Sequence, residues 1–72
     1  MEKMNKLYLN RKIYDKKFIL QAIADFSQLA LIQLSEKKEY WVCSFKNCKV
    51  STNRTINEFE NYLIGLSNRE GF

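Results

Sequence analysis

Tyr40-Trp41-Val42-Cys43-Ser44-Phe45 decides the fold. Aromatic and β-branched residues crowd this stretch, between the charged Glu36-Lys37-Lys38-Glu39 and the polar Lys46-Asn47. Such side chains fit a pleated, half-buried surface, so the stretch reads as a strand. Alternation sends Trp41, Cys43 and Phe45 to one face and Tyr40 and Val42 to the other. Both faces are apolar, whereas an edge strand is usually polar on one face or blunted by charge or proline. The strand therefore belongs in the middle of a small sheet.

Upstream, Leu29 to Leu34 is short and rich in Leu and Ile, and reads as a strand. The charged link Ser35 to Glu39 makes a hairpin with the Tyr40 strand. Lys6-Leu7-Tyr8-Leu9-Asn10 alternates polar and apolar, a further strand with Leu7 and Leu9 inward. Asp15 suits a helix N-cap. The helix it opens runs from Lys16 to Ser27, with Phe18, Ile19, Ala22, Ile23 and Phe26 along one stripe. Downstream, Lys46 to Arg54 is polar and aperiodic, a surface loop. Thr55-Ile56-Asn57-Glu58 has the pattern of a capping box. It opens a second helix from Ile56 to Asn68, with Ile56, Phe59, Leu63 and Leu66 as its stripe and Gly71 as its stop.

The order is β-α-β-β-α, an α+β fold in one domain over residues 1–72. A right-handed crossover leaves a slot between the first two strands that the third can fill. The sheet is then three-stranded and antiparallel, in the order 2-3-1, with both helices packed on one face. That face holds Leu7, Leu9, Ile32, Leu34, Trp41, Cys43 and Phe45. The other carries Tyr8, Leu29, Leu31, Tyr40 and Val42, an apolar surface of the kind that usually marks a partner.

Composition narrows the function classes. A chain of 72 residues buries only roughly 60% of its unfolded surface, so a partner chain, a second copy included, would add burial. There is no histidine, hence no ordinary general base and no imidazole ligand. Cys43 and Cys48 are too few for a metal site or a disulfide framework, and read as reduced thiols in a cytoplasmic protein. Cys43 sits on the core face as a small apolar residue. No apolar run reaches the ~20 residues of a membrane span, and the basic start lacks a signal peptide's apolar core. Neither metal nor cofactor is expected, and the chain is not expected to be an enzyme. The net charge of +4 gathers as Arg11, Lys12, Lys16 and Lys17, and as Lys46, Lys49 and Arg54. With Tyr8, Tyr14 and Tyr40 these cations offer an alternative reading, a small basic nucleic-acid-binding or regulatory dimer domain. No recognition-helix pattern supports it, and solvated helix starts and loops account for the same lysines.

The second helix carries a resemblance. Phe59-Glu60-Asn61-Tyr62-Leu63-Ile64-Gly65-Leu66-Ser67-Asn68-Arg69-Glu70 resembles the F-x-N-x-L-L-D-x-x-L-R-E signature of the HxsD family, small proteins of His-Xaa-Ser peptide-modification systems. Phe59, Asn61, Leu63, Arg69 and Glu70 match. Ile64 is conservative, Gly65 stands where the signature has an acid, and Asn68 where it has Leu. The run Phe18-Ile19-Leu20-Gln21-Ala22 followed by Phe26 is similar to that family's first half. The resemblance implies a non-catalytic accessory protein of ribosomal-peptide maturation, binding the precursor peptide, a radical S-adenosylmethionine enzyme, or both. The iron–sulfur chemistry would be the enzyme's, since no cluster-ligand cysteine set is present. Phe59 and Leu63 are core on any reading, and the helix dipole alone favours Arg69 near a helix end. Asn61, mid-helix and off the stripe, asks for a further reason. The expected partner contacts are Tyr8, Leu31, Tyr40 and Val42 on the sheet and Asn61, Tyr62, Arg69 and Glu70 on the helix.

Overall fold

The computed structural model describes the backbone of residues 5–70 and the side chains of residues 5–68. Its elements are β1 (Lys6–Asn10), α1 (Lys16–Asp25), β2 (Leu31–Glu36), β3 (Tyr40–Lys46) and α2 (Thr52–Glu70). The sheet order is β1-β3-β2, with β3 antiparallel to both neighbours. β1 and β2 are therefore parallel to each other and separated by β3, as the alternation in the sequence implies.

Both helices cover one face of the sheet. Leu9, Ile32, Trp41, Cys43 and Phe45 meet Ile19, Ala22 and Phe26 of the α1 segment and Phe59 and Leu63 of α2 in one buried cluster. Phe59 stands edge-on to both Phe26 and Phe45, at 5.3 Å between ring centroids in each case. It joins α2 to α1 and to the central strand, and full burial of such a side chain stabilises by about 1.5–3 kcal/mol. Leu7 and Leu34, on the outer strands, are half-buried at the rim.

Several boundaries differ from the sequence expectation. α1 ends at Asp25 because the chain tightens there: Ser27 N–H donates to the Ala24 carbonyl, and Leu29 and Ala30 N–H both donate to the Phe26 carbonyl. Leu29 consequently lies in this turn and not on the sheet's open face. Its carbonyl accepts from Lys49 N–H at 2.9 Å, which ties down the loop after β3. β2 starts at Leu31 and runs on to Glu36, so the hairpin turn is Lys37 to Glu39, closed by Lys37 N–H to the Tyr40 carbonyl at 2.8 Å. Asp15 occupies the N-cap of α1, but its carboxylate makes no capping bond.

The Thr55–Glu58 capping box does not form, because α2 begins a turn earlier. Ser51 takes the capping role, its hydroxyl accepting from Arg54 N–H at 3.2 Å and its carbonyl from Thr55 N–H at 3.0 Å. Thr55 is buried and donates its hydroxyl to the Ser51 carbonyl at 3.0 Å, while Glu58 pairs with Arg54 at 3.1 Å. α2 extends to Glu70 and not to Asn68. The expected stop at Gly71 falls outside the described residues. Asn47 turns the chain out of β3 with φ 54°, a left-handed conformation that asparagine tolerates better than most residues.

Candidate functional site

Strand register lays out the sheet's open face. Along β3 it presents Tyr40, Val42, Ser44 and Lys46. Tyr8 and Ser35 flank Val42, Lys6 and Gln33 flank Ser44, Asn10 stands beside Tyr40, and Leu31 stands beside Lys46. Tyr8 (53% exposed), Leu31 (50%) and Tyr40 (43%) are open to solvent, as expected. Val42 is not: it is 4% exposed. It occupies the middle of the middle strand, where neighbours on all sides cover a short side chain. Val42 is thus a packing residue of this face and presents almost no surface to a partner.

The two tyrosines stand edge-to-face on the diagonal across β1 and β3, 6.2 Å between centroids at 85°. The rest of the face is polar, and the apolar surface is smaller than a list of its hydrophobic residues suggests. Among the described residues this face bears Lys6 and Lys46 and no carboxylate. The described acids sit on the helices, at the N-cap of α1, in the hairpin turn, or, for Glu36, on the helix-facing side of β2.

Asn61, Tyr62, Arg69 and Glu70 belong to the other layer. Asn61 is exposed on α2. Tyr62 braces the two helices: its hydroxyl donates to the Asp25 carboxylate and its ring lies 5.6 Å from that of Phe26. That bond, with one from Gln21, holds the Asp25 carboxyl below the usual carboxylate range. The Arg69 and Glu70 backbones are helical, and their side chains lie outside the described residues. Among the described side chains the exposed expected contacts fall on opposite layers, Tyr8, Leu31 and Tyr40 on the sheet's open face and Asn61 and Tyr62 on α2, and no single site brings them together.

The two basic groups lie at opposite ends of β3. Arg11 faces Glu39, just before the strand, whereas Lys46 closes it. Arg11 has its guanidinium 4.4 Å from the Trp41 ring centroid and donates to the Lys37 carbonyl at 2.7 Å. Lys16 pairs with Glu36 at 2.9 Å and thereby lowers the Glu36 pKa. Beside Arg11, the end of β1 opens into a groove of about 210 Å³ lined by Asn10, Arg11, Lys12, Lys38 and Glu39. Sequence reasoning assigned no role to Lys38 or to this groove. The signal is the pairing of two loops that are distant in the chain, which register reveals and composition does not.

Nucleophile chemistry is poorly served. Burial pushes the Cys43 thiol up to about 11, and Cys48 is half-buried in the loop after β3. Among the described residues no group of three or more His, Cys, Asp or Glu could hold a metal ion. None of the described helices is long and apolar enough to cross a membrane. A family model described as His-Xaa-Ser system protein HxsD matches residues 9–71. Comparison with curated proteins and with solved structures finds no match.

Proposed function

The chain belongs to the HxsD family of His-Xaa-Ser system proteins, and from that membership we propose a non-catalytic accessory protein of ribosomal-peptide maturation. It binds the precursor peptide, the radical S-adenosylmethionine enzyme that modifies it, or both. The observation that carries this reading is the sheet face left uncovered by the helices, with Tyr8, Tyr40 and Leu31 exposed among polar neighbours. Tyrosines among short polar side chains give large, rigid contact area at low entropic cost, the composition of surfaces that grip polypeptides. The absence of histidine and the high pKa of the Cys43 thiol support a role without catalysis. In such a system this chain brings peptide and enzyme together, and the enzyme supplies the chemistry.

The test is reconstitution with the precursor peptide and radical enzyme of the same system. The modified peptide is measured by mass spectrometry with and without this chain. Modification that depends on the chain, together with its co-elution with peptide or enzyme, supports the proposal. Equal modification in its absence, with no co-elution, overturns it.

A further inference from the structure

The backbone of β1 is paired on one side only. Phe45 N–H donates to the Asn5 carbonyl at 2.8 Å, and Arg11 N–H to the Glu39 carbonyl at 3.2 Å. In an antiparallel ladder the bonding residues alternate. Leu7 and Leu9 therefore bond inward to β3, and Lys6, Tyr8 and Asn10 turn their backbone groups outward. The Asn10 carbonyl is taken by Ile13 and Tyr14 N–H. The N–H groups of Lys6, Tyr8 and Asn10 and the carbonyls of Lys6 and Tyr8 have no partner among the described residues.

Such a row is a template for one more strand. Its surroundings state which kind. Lys6 stands at one end, and the groove lined by Arg11, Lys12 and Lys38 opens at the other, with Glu39 the one carboxylate on its wall. The adjoining open face carries lysine and no acid among the described residues. The opposite edge differs. There the outward groups belong to Ile32, Leu34 and Glu36, and the Glu36 carboxylate is already taken up by Lys16 at 2.9 Å, so these residues add no free cation for an acidic strand.

We propose that the outer edge of β1, with the Arg11–Lys12–Lys38 groove at its end, binds an extended acidic peptide segment as a fourth strand. Main-chain hydrogen bonds to Lys6, Tyr8 and Asn10 hold the segment. Its alternate side chains lie beside Tyr8 on the open face, and a carboxylate enters the groove. This rests on the peptide-binding reading above and gives it a site and a ligand chemistry. Lysine on an edge strand also guards against self-association, so the test must separate a guarded edge from an occupied one.

A random-peptide phage library is panned against the full chain, and an enriched peptide is then titrated into isotope-labelled protein. The expected result is enrichment of acidic sequences without proline at their centre. Amide signals of Lys6, Tyr8 and Asn10 shift, and their hydrogen exchange slows. Tyr8→Pro blocks the edge yet keeps the fold, because its N–H points outward and proline is tolerated at such edge positions. It weakens binding roughly ten-fold or more, with the circular dichroism spectrum unchanged. Lys12→Glu with Lys38→Glu, both exposed, weakens binding roughly ten-fold and flattens its salt dependence. Peptide binding that survives all three changes and maps to Asn61 and Ile64 on α2 overturns the edge assignment but leaves the peptide-binding reading standing. Failure to enrich any peptide overturns both. A dimer by light scattering, with the same amides protected before peptide is added, assigns the edge to a second copy and overturns the proposal.

Discussion

Replacing Gly65 with Ala tests the account of α2 directly. Gly65 lies inside a helix running Thr52–Glu70, is exposed, and has no left-handed φ to protect. A Cβ built on it meets nothing within 4 Å. No steric term therefore opposes the substitution, and only the backbone term remains. Glycine in a helix interior is about 0.8–1.0 kcal/mol less favourable than alanine, much of it the greater freedom of glycine in the unfolded chain. A gain of about 1 kcal/mol multiplies the folded-to-unfolded ratio roughly five-fold. In a domain of this size it raises Tm by roughly 4–8 °C. Thermal and urea unfolding followed by circular dichroism measure it, with the urea slope unchanged because the exposed area is the same. A Tm that stays level or falls refutes the reasoning: position 65 would then be non-helical in solution or pressed against something.

Phe59→Ala removes the ring between Phe26 and Phe45 and should cost about 3–5 kcal/mol, most of the stability of a small domain. A urea midpoint close to wild type would show that Phe59 does not join the layers. Tyr62→Phe removes the hydroxyl that does most to hold the Asp25 pKa down, so the Asp25 titration followed by NMR should move up toward the ordinary carboxylate range. A depressed folded pKa stabilises above the unfolded value of about 4 and is lost as pH falls through the folded one. The wild type should therefore lose its advantage over Tyr62→Phe at acid pH, and an unmoved Asp25 titration would refute the bond. Thiol labelling of native protein should modify Cys48 first and leave Cys43, buried with its pKa near 11, until unfolding; equal rates would contradict that burial.

The central strand was legible because its signal is doubly redundant: β-forming residue types and two apolar faces both place Tyr40–Phe45 inside the sheet. The order β1-β3-β2 followed from short connections and a crossover rule, which need no side-chain detail. Boundaries were less legible because neighbouring residues compete for one role. Ser51 and Thr55 are both good caps, and the choice falls to Ser51 once Thr55 is buried against the core. Leu29 suits a strand by type, but the turns closing on the Phe26 carbonyl claim it first. Val42 was assigned the right face and the wrong exposure, because alternation gives direction and only the neighbours decide cover. The family signature lay in α2, whereas the unpaired β1 edge comes from hydrogen-bond alternation that no motif encodes.

Trp41 gives the protein an optical gauge of its own. It is the sole tryptophan, buried on β3, with its indole N–H donated to the Tyr14 carbonyl at 3.0 Å and the Arg11 guanidinium over its ring. Arg11 and Tyr14 both belong to the connection leaving β1. The indole's emission therefore senses whether β3 is shielded from water and whether the chain at the end of β1 keeps its place. Unfolding moves the emission to longer wavelength. A ligand that draws Arg11 away changes the intensity while the ring stays buried. The two events separate as wavelength and brightness, so folding and docking can be followed in the unlabelled chain during one titration.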